Sequence, residues 1–312
     1  MSWEPAEKAA ETRIGRSDGV CIRGALAIAT ISIEGREIGF DDTGGAGVPL
    51  VLLHGFPLDR SVWDVQVAAL RDAQHAPPHV RVVRVDLRGC GESEPSDGPA
   101  LMELLAADVA GTLDALEVER AALVGHSVGG YVALAFFRMY AERVAGLALV
   151  ASHTAADAGV EVPGASEAQR TLGAQREALA QRLERDGTME AAIEFYLPKY
   201  FAPRVYRERP QLVEQARALM TRQNPGGCAQ LVRGMRQRVG SDDLLDDVRV
   251  PALVIAGAED AFLDPERLRA IASAIPDAEF VQLQGVGHLP MLEAPERTSH
   301  ALCRFAERAR SG

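Results

Sequence analysis

Gly125-His126-Ser127-Val128-Gly129 is the stretch whose reading decides the fold. G-x-S-x-G set between a strand and a helix is a way to expose a nucleophilic serine on a sharp turn. The flanks supply that setting: Ala121-Ala122-Leu123-Val124 reads as a short buried strand, and Tyr131-Val132-Ala133-Leu134-Ala135-Phe136-Phe137 as a buried helix. Small residues at 125, 129 and 130 fit two backbones brought close together, where a bulky side chain would clash. The Ser127 hydroxyl is then expected to point out of the turn, beside a helix N-terminus whose free N–H groups favour developing negative charge.

Outward from this turn, short apolar runs alternate with helical patterns. Strands are expected at Val48 to Leu53, Arg81 to Val85, Leu147 to Ala151, Ala252 to Ala256 and Glu279 to Leu283. Helices are expected near Ser61 to Asp72, Leu101 to Leu116, Pro265 to Ile275 and Pro295 to Arg308. Such alternation predicts an α/β fold: a mostly parallel central sheet with helices on both faces and ligands at the carboxyl ends of the strands. Upstream, Leu26 to Ile33 and Glu37 to Phe40 meet at Glu34-Gly35-Arg36 and predict an antiparallel hairpin. Gly44-Gly45-Ala46-Gly47 lacks the Gly-Lys-Ser/Thr of a phosphate loop and precedes a strand, so it reads as a turn. From about Thr154 to Gly240 the pattern is helical without a convincing strand, which predicts an inserted helical cap. The expected organisation is a polar N-terminal extension over 1–24, a core made of 25–153 and 241–312, and a cap over 154–240.

Bulk properties narrow the function. The formal charge of −11, from 33 basic and 44 acidic residues with no Lys/Arg run, argues against a nucleic-acid partner. Cys21, Cys90, Cys228 and Cys303 are scattered without C-x-x-C spacing, so neither a zinc site nor a disulfide framework is expected, and each reads as a simple thiol. Residues 1–19 lack the apolar core of a secretory signal, and no uninterrupted apolar run reaches the roughly 18 residues a membrane span needs. A soluble, cytoplasmic protein with no membrane association is the expectation; a homo-oligomer is left open.

A serine hydroxyl needs a base within hydrogen-bond reach and a third group to orient that base. His288, in Gly285-Val286-Gly287-His288, follows the last strand and is the candidate base, with His153 as second choice. His75, His79 and His300 read as solvent-facing, and His126, in the variable position of the motif, is expected to point away from the Ser127 hydroxyl. Gly257-Ala258-Glu259-Asp260 follows another strand end and offers Asp260 as the orienting carboxylate. Glu259 and Asp264 are rivals, with loop solvation and capping of the helix at Pro265 as the alternative use of all three. The order Ser127, Asp260, His288 is that of a strand-turn-helix serine hydrolase and not of the two serine-protease families. For the oxyanion, the Val128 N–H is one candidate donor, and the Phe56 N–H in His54-Gly55-Phe56-Pro57 is the other; Pro57 has none to give.

Taken in order, His54-Gly55-Phe56-Pro57, Asp86-Leu87-Arg88-Gly89-Cys90-Gly91-Glu92-Ser93, Gly125-His126-Ser127-Val128-Gly129-Gly130, Gly257-Ala258-Glu259-Asp260 and Gly287-His288 resemble five successive motifs of the α/β-hydrolase superfamily. The resemblance runs from about Leu26 to Ala306. It implies Ser127 as nucleophile, His288 as base and then acid, Asp260 as its partner, and Phe56 and Val128 as oxyanion donors. Within the superfamily the chain is similar to enol-lactonases, arylesterases and cofactor-free haloperoxidases, although Cys90 stands where the turn motif often carries His. Ser127 argues against dehalogenases and epoxide hydrolases, which need an aspartate there.

The implied reaction is hydrolysis of a small-molecule ester or lactone, with no metal and no organic cofactor. Perhydrolysis, C–C bond hydrolysis and a slow-turnover ligand-binding receptor are the alternatives on the same residues. Trp63, Tyr131, Tyr196, Phe262 and Met291 are candidate pocket residues, with Phe56, Phe195, Tyr200 and Phe201 as further aromatics that could reach it. Between 154 and 240, 13 Arg/Lys stand against 10 Asp/Glu in a chain that is acidic overall. That contrast suggests a substrate carrying a carboxylate; solvated helix faces are the plainer account of the same charges.

Overall fold

The computed structural model describes residues 27–72, 80–156 and 166–311. The expectations for 1–24, Cys21, His75 and His79, and for the part of the cap at 157–165, lie outside the described residues. Eight strands form one sheet: β1 (Ala27–Ile33), β2 (Arg36–Asp42), β3 (Leu50–Leu53), β4 (Val82–Val85), β5 (Ala121–His126), β6 (Val144–Val150), β7 (Ala252–Gly257) and β8 (Ala278–Leu283). Their spatial order is β1-β2-β4-β3-β5-β6-β7-β8. The hairpin of β1 and β2 pairs antiparallel and joins antiparallel to β4, and every pairing from β4 to β8 is parallel. Glu34 and Gly35 both take positive φ, +50° and +77°, as a two-residue hairpin turn that follows strand twist requires.

Helices α1 (Asp64–Arg71), α2 (Met102–Ala115) and α3 (Val128–Met139) connect the first half of the sheet, and α9 (Pro265–Ala274), α10 (Pro290–Glu293) and α11 (Pro295–Ser311) complete the second. Between β6 and β7 come α4 (Glu167–Asp186), α5 (Glu190–Tyr196), α6 (Val205–Glu208), α7 (Pro210–Thr221) and α8 (Pro225–Arg236). No strand interrupts this helical insert among the described residues. Its longest helix has sequence-coded ends: Ser166 and Gln169 form a reciprocal capping box, and Gly187 stops the helix at φ +63°.

Strands β3, β5, β6 and β7 are buried along their whole length, which is why they read as continuous apolar runs without alternation. The central strand β5, its neighbour β3 and, beyond β6, the strand β7 end on the same edge of the sheet. From that edge leave the His54-Gly55-Phe56 loop, the Ser127 turn, the Asp260 loop and, after β8, the His288 loop.

Candidate active site

Ser127 joins β5 to α3 with φ +50° and ψ −115°, a conformation that costs an L residue on the order of 1–3 kcal/mol. Packing imposes it. A Cβ on Gly129 would lie 2.5 Å from the Leu53 carbonyl oxygen, so α3 can press its first turn against the end of β3 only with glycine there. Backbone bonds fix the rest: the Ser127 N–H donates to the Val150 carbonyl (3.0 Å), and the Ser127 carbonyl accepts from the Gly130 N–H (2.9 Å) and the Ser152 hydroxyl (2.7 Å). Val128 is the first residue of α3, where amides have no intrahelical acceptor.

His288 is brought to the same place by an equally close contact. A Cβ on Gly257 would stand 2.0 Å from the Gly287 carbonyl oxygen, so the end of β7 and the histidine loop touch backbone to backbone. Across that contact His288 Nδ1 lies 2.8 Å from Asp260 Oδ2, with both side chains almost fully buried. A carboxylate can only accept, so Nδ1 carries the proton and Nε2 is left as an acceptor. The other oxygen, Asp260 Oδ1, accepts from the Phe262 (2.8 Å) and Leu263 (3.2 Å) amides, which holds the carboxylate in the loop. The rivals are placed elsewhere: Glu259 is exposed, and Asp264 caps α9 through the Glu266 amide (3.0 Å).

One cavity of about 150 Å³ has Ser127, His288 and Phe56 together on its wall. Larger hollows, of about 510 Å³ beside Arg60 and Asp86 and about 670 Å³ between α1 and α11, include neither Ser127 nor His288. Of the candidate pocket residues, Tyr131, Tyr196 and Phe262 line the small cavity. Trp63 and Met291 do not. Trp63 is fully buried and meets the His126 ring edge-on (6.4 Å between centroids), while Met291 is equally buried with its carbonyl accepting from Gln66. Both are core because the helices after β3 and β8 turn these side chains inward, under the site. Phe195 is partly exposed and Phe201 is buried away from the cavity.

Several contributors were not legible from the sequence. His126 is not among the residues lining the Ser127 cavity, and its Nε2–H donates to the His288 carbonyl (2.8 Å) and so braces the His288 loop. Burial, and next the charge His288 can carry, push the His126 pKa well down, which keeps it neutral. Glu293 accepts from the Gly287 amide (2.8 Å) and the Ala202 amide (3.0 Å), binding the histidine loop to the insert. Leu172, Arg176 and Met235 reach the cavity from α4 and α8, and His153 lines it with an edge-on contact to Tyr131 (5.3 Å). Apart from His153, named above as second choice for the base, none has a local sequence signature, since each is placed by packing between distant segments. Cys90, Cys228 and Cys303 are free and buried. Among the described residues no group of three or more His, Cys, Asp or Glu side chains is arranged to hold a metal ion. No helix among them is long and apolar enough to cross a membrane.

Residues 50–301 match the alpha/beta hydrolase family. The chain belongs to that family. This hydrolase is 30% identical to a 2-hydroxy-6-oxononadienedioate/2-hydroxy-6-oxononatrienedioate hydrolase of Paraburkholderia phymatum over 86% of its own length and 90% of the relative's. Among solved structures it is similar to a thermophilic esterase from Thermogutta terrifontis, with malate bound, at 35% identity and a TM-score of 0.80, covering 91% of this chain and 99% of the esterase. It is also similar to the enol-lactonase from Burkholderia xenovorans LB400, at 28% identity and a TM-score of 0.75, covering 89% and 99% of the two chains.

Proposed function

We propose that this hydrolase cleaves a small carboxylic ester or lactone through an acyl-Ser127 intermediate. The observation that carries the reading is the 2.8 Å bond between His288 Nδ1 and Asp260 Oδ2 on a histidine that shares a small cavity with a conformationally strained serine. In this scheme His288 Nε2 takes the Ser127 hydroxyl proton as Oγ attacks the acyl carbon, and Asp260 stabilises the imidazolium. The Phe56 and Val128 amides donate to the oxyanion, a contribution of about 3 to 4 kcal/mol for a single donor in known cases. His288 then gives the proton to the departing alkoxide as the C–O bond breaks. Water, deprotonated by the same nitrogen, attacks the acyl-enzyme and returns Ser127 with a free acid.

The cavity volume, about that of a pocket that holds one benzene ring, suits a short acyl group. Its aromatic wall is interrupted by one cation, Arg176, and no acidic side chain lines it. We infer from this that a substrate carboxylate sits toward α4. Malate in the Thermogutta structure and the dioate in the Paraburkholderia relative's name lie in the same direction. Several cations of the insert face acids, as Arg233 does with Glu177 and Glu184, so the net charge of the insert is not a measure of what lines the cavity.

Two substitutions test the reading. With p-nitrophenyl acetate, Ser127→Ala is expected to lower kcat by about 10⁴-fold or more and to abolish labelling by a serine-directed phosphonate, read by mass spectrometry. Activity that survives the change sinks the mechanism. Arg176→Gln is expected to lower kcat/KM about 10- to 100-fold for an ester bearing a free carboxylate and by less than about threefold for its neutral counterpart. Equal losses on both esters would remove the carboxylate from the proposal. Product analysis separates ester cleavage from C–C cleavage and perhydrolysis.

A further inference from the structure

The insert reaches the strand-end machinery most directly at Tyr200, which follows α5 and is 1% exposed. Three contacts radiate from this one residue. Its phenol O–H donates to the Phe56 carbonyl. Its own carbonyl accepts the His288 N–H at 2.8 Å. Its ring lies nearly parallel to the His288 imidazole, with centroids 5.9 Å apart and planes 15° from each other. Tyr196 and Phe262, each with its ring centroid 6.0 Å away, hold the Tyr200 ring in this position.

We propose that Tyr200 is a positioning residue, one that couples the helical insert to the oxyanion donor and to the general base at once. The proposal rests on the reaction assigned above. Its physical content is orientation. The amide and carbonyl of Phe56 flank one Cα, so fixing the carbonyl restricts the dihedrals that aim the N–H into the cavity. The preceding peptide is already fixed from the core side, because the Gly55 carbonyl accepts from His54 Nδ1 (2.9 Å) and the Leu58 amide (3.0 Å). His54 Nε2 in turn accepts from the Leu87 amide (2.9 Å), which sets the tautomer. Core and insert thus hold opposite sides of the same donor. Burial raises the phenol pKa well above its usual value, so Tyr200 stays protonated and remains a donor throughout the working range. On the other side, the backbone bond and the ring contact limit how far the imidazole can tilt away from Ser127.

Tyr200→Phe keeps the ring and the backbone acceptor and removes only the O–H. With p-nitrophenyl acetate the expected result is a fall in kcat of about tenfold at nearly constant KM, less than the 10²–10³-fold of losing an oxyanion donor outright. Affinity for a trifluoromethyl ketone, which Ser127 would convert to a hemiketal oxyanion, should fall by the same factor. Titration of active sites with the phosphonate should still count every molecule. A variant that binds the ketone as tightly as wild type, whatever its Tm, overturns the proposal. Should Tyr200→Phe not accumulate in folded form, Tyr200→Met carries the same two readouts with the cavity filled. Ser127→Ala is run alongside: if it stays active the assigned reaction is what fails, whereas a dead Ser127→Ala beside a fully active Tyr200→Phe removes the positioning role alone.

Discussion

The two walls of the cavity are built by different physics. On the strand-end wall, Phe56, Ser127 and His288 stand on loops fixed by backbone contacts, and the strands that lead into Phe56 and Ser127 are buried end to end. On the insert wall, Leu172, Arg176, Tyr196 and Met235 are side chains carried by helices whose ties to the core lie elsewhere, in the Arg222–Asp59 pair and in backbone contacts of α8 such as the Gln230 carbonyl accepting from the Ala100 N–H (3.0 Å). The first kind of construction tolerates almost no change of geometry, since close-packed backbone has nowhere to move. The second can exchange side chains while keeping its helices. A fixed reaction and an adjustable pocket follow from that contrast.

Breaking the strand-end wall should therefore have the largest effect. Asp260→Asn preserves shape but offers an amide that can present N–H in place of an acceptor to His288 Nδ1, favouring the wrong tautomer. The expected loss in kcat is about 10⁴-fold, as in the protease case. Asp264→Ala provides the control: it removes an N-cap, costs about 1 kcal/mol of stability, and leaves kcat within about twofold. Steady-state kinetics with denaturation of both variants checks the pair, and the reverse ranking would move the acid from 260 to 264.

The same contrast explains what the sequence could tell. The parallel sheet, its hairpin edge and the strand-end positions of Ser127, Asp260 and His288 follow from local patterns, because apolar runs, turn glycines and helix starts are short-range features. Trp63 and Met291 were expected in the pocket because aromatic or flexible apolar side chains near strand ends often line one. Whether such a side chain faces the cavity or the layer beneath depends on a helix rotation that no local pattern encodes. His126, Glu293 and Tyr200 act across 162, 91 and 144 positions of sequence respectively, through hydrogen bonds to His288, Ala202 and Phe56. No spacing rule reaches that far. The insert's excess of arginine was legible as a number, yet which of those arginines reaches the cavity is set by how α4 packs.

A smaller effect is expected where the insert is fastened. Asp59 accepts from both Arg222 (2.7 Å) and Gln223 (2.8 Å) and from the Ser61 amide (3.0 Å), joining the end of α7 to the loop after β3. Burial works to raise the Asp59 pKa, and the hydrogen bonds from Arg222, Ser61 and Gln223 outweigh it, leaving the carboxyl well below the usual range. Asp59→Ala should cost about 2 to 3 kcal/mol in urea unfolding, discounted because the Arg222 side chain is half exposed. With a depressed folded-state pKa, this contribution is present above the ordinary carboxylate value near 4 and is lost as pH falls through the folded value. Asp59→Ala should accordingly flatten the acid limb of stability; an unchanged limb would mean that Asp59 does not fasten the insert.

The smallest expected effect tests whether the strand-end wall is as independent of charge as its backbone contacts suggest. His126 is the exception, a titratable ring sealed behind His288, with His54 and His288 as the charged or chargeable groups that face it. Its Nδ1 is buried and has no hydrogen-bond partner among the described residues, so a proton added there would create an unpaired buried charge. The folded-state pKa is pushed well below the ordinary 6.5, while the unfolded chain protonates near that value. Between those two values the unfolded state binds more protons, so stability rises with pH, and it is lost as pH falls from about 6.5 toward the folded value. Taken alone, this linkage lowers stability progressively as the pH is taken from 7.5 to 5.5. His126→Gln, which can still donate to the His288 carbonyl but does not titrate, should lack that component. Subtracting its unfolding free energies from those of wild type across the range isolates it from the other histidines. A difference that stays constant with pH would mean that His126 takes up its proton as readily in the folded enzyme as in the unfolded chain, so that burial does not hold it neutral behind His288.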